Sequence, residues 1–420
     1  MSFATRAILV GGLLAAIAVL ATCQHLPLLT WTPQLVEPRT YPLLFGQLFV
    51  AWLALAVSPR IWRRPILVIA SLASLVTLSP LFAVVAVVHA GLTTAVLRAP
   101  LPRIVVLAFL VGSVAAAVAV GNAELGDEAR RLAIVFALGQ TFRLFALYHA
   151  ARVAGARPLS LVDTFLYLHL LPCNVIVPYM LCIPRVERFR KSLDTPRAFD
   201  VRLLAAGAVV GVLVHAGLRV FDPKIALLHA AQAHDIPRVA AFALLFYPLS
   251  GVLGILGPAW ILTGMMRLVG IDVDPPFDHP LSSTSFLEWW RRWNTHFRDL
   301  LVDLFFFPVV LGRLRRRRRI ATVIGAAAVF LVGSTLFHMP KHMLLVAHGW
   351  EMPWGLFAEN VVSFVFVTVG LLQGARRRPP RRRLTAIFVT WIVVFVAVHI
   401  GYLVGWSLHP DRLPKESSKL

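Results

Sequence analysis

The sequence predicts an all-α, polytopic transmembrane helical bundle of about eleven spans with re-entrant segments, counting about 20 apolar residues to a crossing. Three observations carry that expectation. Hydrophobic residues are 58% of the chain and charged residues only 15%, with a mean hydropathy of +0.76, more apolar surface than a soluble core can bury. The apolar residues are gathered into runs of spanning length. Short arginine-bearing connections separate many of those runs, the bias by which cytoplasmic loops are recognised.

Taken in order, Ala7 to Thr22 is an uncleaved first helix with Arg6 the single charge before it, and the alternation of basic with acidic or neutral connections starts the N-terminus in the cytoplasm. Tyr41 to Val57 follows a polar loop and ends at Arg60, Arg63 and Arg64. Pro65 to Leu97 is too long for one span, and Ser79-Pro80 divides it into a hairpin. Ile104 to Val120 and Leu132 to Val153 flank the acidic connection Asn122 to Glu128, which the alternation places outside. Leu161 to Ile183 breaks the alternation, because the basic run Pro184 to Lys191 follows where a neutral one is due. Pro172 and Pro178 interrupt it, and proline removes a donor and clashes with the preceding turn. A re-entrant or bent segment that returns to its own side resolves the conflict. Such backbone is tolerated at membrane depth only where protein or a water-filled cavity covers it.

Val201 to Val220 is a further span, as is Ala240 to Leu268, whose Gly251, Gly254 and Gly257 let helices approach closely. Leu300 to Leu311 is too short to cross and lies between arginine clusters, so it is expected to be re-entrant or interfacial. Ile320 to Phe337, Gly355 to Leu372 and Leu384 to Trp406 complete the set. The chain divides into N-terminal transmembrane helices over 1–160, a core over 161–350, and C-terminal helices with a short tail over 351–420.

The formal net charge is +21, but the positives sit in clusters between apolar runs. That distribution fits topology and contact with anionic membrane lipid, and it excludes nucleic acid, which needs a continuous basic face on a soluble domain. Cys23, Cys173 and Cys182 form neither a disulfide framework nor a zinc pattern. His338, Lys341, His342 and His348 make no metal site: Pro340 crosses the i, i+4 pair and no acid lies nearby.

One polar stretch stands out, Ser285 to Asp299, with Trp289, Trp290, Trp293, Arg291, Arg292, Asn294 and His296 in a chain that is otherwise apolar. A charge at mid-bilayer opposes insertion by roughly 2.5 to 3.5 kcal/mol, so the stretch lies at an interface or lines a cavity. Ser285 and Glu288 have capping-box spacing. The tryptophans also fit an aromatic belt, and the arginines also fit snorkelling lipid anchors. His338 closes the next span, and a fold-back at the short apolar run would bring it to Asn294.

The run Ser285-x-x-Glu288-x-Trp290-Arg291-Arg292-Trp293-Asn294 resembles the signature of the membrane-bound O-acyltransferase (MBOAT) family, in a divergent, bacterial-type form. Asp303 and Phe306-Phe307-Pro308 keep the family's register, with Val302 where it usually has arginine. Upstream, Tyr247, Ser250, Gly251, Gly264, Leu268, Gly270, Phe277 and Pro280 follow its approach to the segment, and Pro184 to Arg188 is similar to its Gly-Pro-x-x-Arg loop. Leu336-Phe337-His338 stands where the family has Leu-Trp-His-Gly, with Phe337 in place of tryptophan and Met339 in place of glycine. The likeness covers roughly Leu161 to His348.

The resemblance implies an MBOAT-like fold and transfer of an acyl group to a hydroxyl of a polysaccharide, lipid or small metabolite. His338 would be the base and Asn294 an orienting or oxyanion-donating group. Trp290, Arg291, Arg292, Trp293 and Asp303 would help bind substrate, and Arg291 and Arg292 with the Arg315 to Arg319 cluster could hold phosphates of a coenzyme A donor. No bound cofactor is expected. The donor would be a thioester of coenzyme A or of an acyl carrier protein, an accessory protein could take part, and the location would be the bacterial inner membrane. A transporter or lipid flippase shares the many spans and broken helices, although no repeated halves are visible. The altered flanks of His338 also leave open a membrane subunit that keeps the fold without the chemistry.

Overall fold

The computed structural model describes residues 2–22, 40–122, 140–171, 182–197, 200–220, 237–238, 247–312, 314–347, 355–373 and 384–394. It is an all-α membrane bundle, with no strand among the described residues. Phe3–Thr22, Arg60–Leu78, Pro80–Arg98, Arg103–Val120 and Arg318–Pro340 are long and apolar enough to cross a membrane. Shorter apolar helices cover Tyr41–Val57, Arg202–Leu213, Asn360–Leu372 and Leu384–Val394. The expected crossings Leu132 to Val153 and Ala240 to Leu268, and the expected re-entrant segment Leu161 to Ile183, lie partly outside the described residues. The chain packs as two compact units, Met1–Ala216 with Leu253–Pro275, and Gly217–Val252 with Pro276–Leu420.

In the first unit, the long apolar run breaks where Ser79-Pro80 predicts. Arg63–Leu78 ends, Ser79 turns extended, and its hydroxyl accepts from the Phe82 N–H at 3.3 Å, so that Pro80 opens the next helix. Proline is well placed there because the first-turn N–H has no partner inside the helix. Arg202–Val220 and Tyr247–Leu268 meet at glycines: a Cβ on Gly207 would lie 2.7 Å from the Gly257 carbonyl oxygen. With no core water to drive association, such close backbone packing is what holds membrane helices together.

Leu161–His169 stops short of a span. The stop is held by buried polar groups. Arg143 donates to the carbonyls of Tyr167 (3.1 Å), Leu168 (2.8 Å) and Cys182 (3.5 Å), and the Tyr167 hydroxyl donates to the Pro184 carbonyl at 2.8 Å. One guanidinium therefore brings the two ends of the proline-bearing stretch together. The stretch itself, 172–181, is outside the described residues.

Beyond that stretch, the helix Val186–Asp194 is tied down by charge. Arg188 reaches Asp272 at 2.9 Å and Asp274 at 2.5 Å, Arg197 reaches Asp272 at 2.7 Å, and Ser192 accepts from the Asp272 N–H at 2.9 Å. Hydrogen bonds from Arg188 to Asp274 and then to Asp272 raise its pKa above its already high value, despite partial burial. Exposed pairs of this kind give only about 0.2 to 1 kcal/mol each. Their shared geometry fixes the loop after Gly270.

The second unit is built on a helical hairpin. Its first arm runs as Thr295–Leu301, a π turn Val302–Phe306, and Phe307–Val310. Its second arm runs as Arg318–Ala327, a π turn Ala328–Ser334, and Thr335–Ala347. The first arm is helical from Thr295 onward, about 24 Å at 1.5 Å per residue, and so remains shorter than a hydrocarbon core of about 30 Å. The turn between the arms carries the exposed residues Arg315 to Arg319. With cytoplasmic loops marked by arginine, Arg316→Cys in a chain stripped of its native cysteines should react with an impermeant maleimide in inside-out vesicles and not in intact cells. Reaction in intact cells would reverse the orientation.

Candidate active site

The Trp-rich stretch forms a short helix, Phe286–Arg292, that begins at the expected cap. The Ser285 hydroxyl accepts from the Glu288 N–H at 3.2 Å. The reciprocal arm is shifted by one residue: Glu288 accepts from the Thr284 N–H (2.8 Å) and hydroxyl (2.7 Å). The other Glu288 oxygen meets Arg292 at 2.7 Å, and Arg292 also donates to Ser282 at 2.6 Å. Arg292 is thus engaged within the protein, whereas the side chain of Arg291 is exposed.

The helix ends in an abrupt corner. Trp293 is extended, and Asn294 takes the left-handed region at φ 40 and ψ 60. Asparagine is among the few non-glycine residues that visit this region readily. Two backbone bonds brace the corner, Asp278 N–H to Arg292 O at 2.9 Å and Thr295 N–H to Pro276 O at 2.7 Å. Trp293 stacks on Trp289 at 5.0 Å and meets the Phe277 edge at 4.6 Å. Buried Asn294 then caps the next helix, its carboxamide oxygen accepting from the Phe297 N–H at 3.4 Å. The cap occupies that oxygen. The amide nitrogen is the atom that can donate.

The hairpin carries this corner to His338. Its arms interlock through small residues: a Cβ on Gly325 would lie 2.8 Å from the Phe306 ring, and one on Gly333 would lie 2.7 Å from the Phe305 ring and 3.0 Å from Leu301. That register sets Phe297 against Phe337 (5.9 Å) and edge-on to the half-buried His338 (5.1 Å, 75° between planes). Asn294 and His338, separated by most of two helices in sequence, are linked through one residue, Phe297. Trp290 packs on Phe330 of the same returning arm at 5.1 Å. Asp303 sits half-buried within the first π turn. The π turns on both arms re-aim the side chains that follow, a device common at functional sites.

Two contributors escaped the sequence reading. Phe297 is one, and its role depends on the register of the hairpin, which no local pattern encodes. Asn360 is the other. It is buried on Gly355–Gln373 and donates to the Thr335 hydroxyl at 2.9 Å. Thr335 and His338 share a helix face by their i, i+3 spacing. An amide in an apolar run was the available signal. The arginine turn, in contrast, is not part of these surroundings, since about 30 Å of helix lies between Arg318 and His338.

The interlock gives a direct test. Gly333→Val should drive the arms apart, because overpacking costs about 1 to 3 kcal/mol and the nearest neighbours are ring atoms. The thermal midpoint of the purified protein should fall, and Gly333→Ala should fall less. An unchanged midpoint for Gly333→Val would show that the arms are not locked here.

No family model matches the chain. It is similar to two Arabidopsis thaliana proteins. One, named "Probable long-chain-alcohol O-fatty-acyltransferase 9", is 30% identical over 229 residues, covering 53% of this chain and 62% of that protein. The other, named "Probable long-chain-alcohol O-fatty-acyltransferase 2", is 26% identical over 164 residues, covering 37% of this chain and 43% of that protein. The chain therefore spans less than two thirds of either relative's length.

Proposed function

We propose that this multi-pass membrane protein is an O-acyltransferase of the membrane-bound O-acyltransferase type, moving an acyl group from a thioester to a hydroxyl. The observation that carries the proposal is the hairpin register, which joins the capped corner at Asn294 to His338 through Phe297. The likeness of the Trp-rich segment to the family signature and the similarity to two proteins named as O-fatty-acyltransferases support it.

The chemistry assigns a role to each group. The His338 imidazole takes the acceptor's O–H proton as that oxygen attacks the thioester carbonyl carbon, because histidine's ordinary pKa lies near working pH. The carbonyl oxygen gains negative charge, and the Asn294 amide N–H donates to it. The C–S bond then breaks, and the leaving thiolate recovers the proton from the imidazolium. The product is an ester with a free thiol, and His338 is neutral again. Arg291, exposed beside the corner, would meet a phosphate of a coenzyme A donor. An acyl carrier protein would present the same thioester, and an accessory protein could deliver it.

The acceptor class with the most support is a lipid hydroxyl, since both relatives carry long-chain-alcohol names. The test is reconstitution of the purified protein in vesicles with a long-chain acyl-coenzyme A and a long-chain alcohol, read by mass spectrometry of the ester. Ester formed by the wild-type protein and lost in His338→Ala supports the proposal. Ester formed equally by both would refer the activity to a contaminant or to another site. Ester formed only with a sugar or small metabolite would keep the transfer and replace the acceptor.

A further inference from the structure

The turn at the far end of the hairpin holds five consecutive arginines, Arg315 to Arg319, all exposed. Backbone bonds fix its shape, Arg315 N–H to Gly312 O at 3.2 Å and Arg317 N–H to Leu314 O at 2.8 Å. Elsewhere the protein gives many arginines a carboxylate. Arg64, Arg188, Arg197, Arg292 and Arg298 each have one. Among the described residues, none of the five in the turn has an ion pair. Arg318 and Arg319 also lie in the first turn of a helix, where the macrodipole disfavours cations. The chain thus concentrates positive charge where none of the described residues balances it.

A second observation says what does. Directly below the turn, each arm exposes a pair of large apolar side chains at i, i+4 spacing. Phe307 (44% exposed) and Leu311 (69%) stand on one arm, with Ile320 (47%) and Ile324 (43%) on the other. A soluble acidic partner would explain the arginines and leave this collar facing water. A membrane explains both. The collar lies in hydrocarbon and the guanidiniums reach the level of the headgroup phosphates. All five cations are arginine, whose planar fork grips phosphate in two-point contacts that lysine cannot make.

We propose that Arg315 to Arg319 form a binding site for the phosphates of anionic phospholipids at the membrane interface. Basic residues that mark topology need only an excess of charge, whereas five consecutive exposed arginines beside exposed apolar side chains supply both halves of a lipid contact. The inference is independent of the acyl-transfer reading and of the residues around His338.

The test uses the full chain in nanodiscs of phosphatidylcholine alone or of phosphatidylcholine mixed with phosphatidylglycerol. Lipid retained after detergent extraction is read by native mass spectrometry, and stability by the thermal midpoint. The wild-type protein should retain phosphatidylglycerol over phosphatidylcholine and unfold at higher temperature in the mixed discs. Replacing all five by lysine keeps the topological charge and should sharply reduce retention. Replacing all five by glutamine should remove both effects. If the glutamine variant fails to insert, a salt titration of the wild-type protein still decides, because retention should fall as ionic strength rises. Equal retention of the two lipids by the wild-type protein, or retention unchanged in the lysine variant, would overturn the assignment. So would displacement of the lipid by soluble coenzyme A or inorganic phosphate, which would reassign the turn to a soluble ligand.

Discussion

Ester formation in the reconstituted assay should fall by about 10²- to 10⁴-fold in His338→Ala, the usual contribution of a general base. Without the imidazole the acceptor must attack as a neutral hydroxyl. The loss should appear in kcat rather than KM, since the base acts on the transition state and binds little of either substrate. The variant should still insert and fold. His338 is half-buried, and its packing partner Phe297 keeps its contact with Phe337. An aromatic pair of this kind contributes about 0.5 to 1.5 kcal/mol beyond its buried area, which is too little to unfold the hairpin. His338→Gln should be as inactive as alanine, because it restores a polar side chain and no base. Full activity in either variant would remove His338 from the chemistry. His296, on the same helix as the Asn294 cap, would then be the next histidine to replace.

What could be read in advance divides along physical lines. Features encoded by near neighbours were legible. Ser79-Pro80 divides two helices because a hydroxyl cap and an N1 proline act within one turn. Ser285 caps its helix for the same reason. That Gly257 permits a close helix approach follows from the small residues within its own span, whereas its partner Gly207 emerges only from the structure. Features set by pairing between distant elements were not legible. The basic run Pro184 to Lys191 suggested a side of the membrane, yet Arg188 is committed to Asp272 and Asp274, nearly ninety residues away. Of the candidate site, Asn294 and His338 could be named from their cost in an apolar chain and from the family likeness. Phe297 could not, since an apolar residue in an apolar segment carries no signal until the register is known. The π turns on both arms were equally silent, because their sequences read as ordinary helix.

Asn294 has three roles, and three substitutions separate them. Its oxygen caps the helix that carries Phe297, its backbone occupies the left-handed region, and its amide N–H is the proposed oxyanion donor. Asn294→Ala removes all three. It should lose about 0.5 to 2 kcal/mol from the cap and roughly 1 to 2 kcal/mol from the left-handed backbone. It should also slow turnover by about 10²- to 10³-fold, the effect of deleting one oxyanion donor, a smaller loss than the upper range for the base. Asn294→Asp keeps a good capping oxygen and tolerates the backbone, but a carboxylate offers no N–H and repels developing negative charge. It should keep the cap and the backbone, lose some stability to the buried charge, and still be slowed at least as much as alanine. Asn294→Gly keeps the backbone and loses the donor, so it too should fold and turn over slowly. The decisive comparison is the aspartate variant. If it retains the wild-type kcat, the amide N–H plays no part in the reaction. Asn294 then acts only by capping the helix that positions Phe297 against His338, and the oxyanion must be held by another donor, for which buried Asn360 on the neighbouring helix is the first to test.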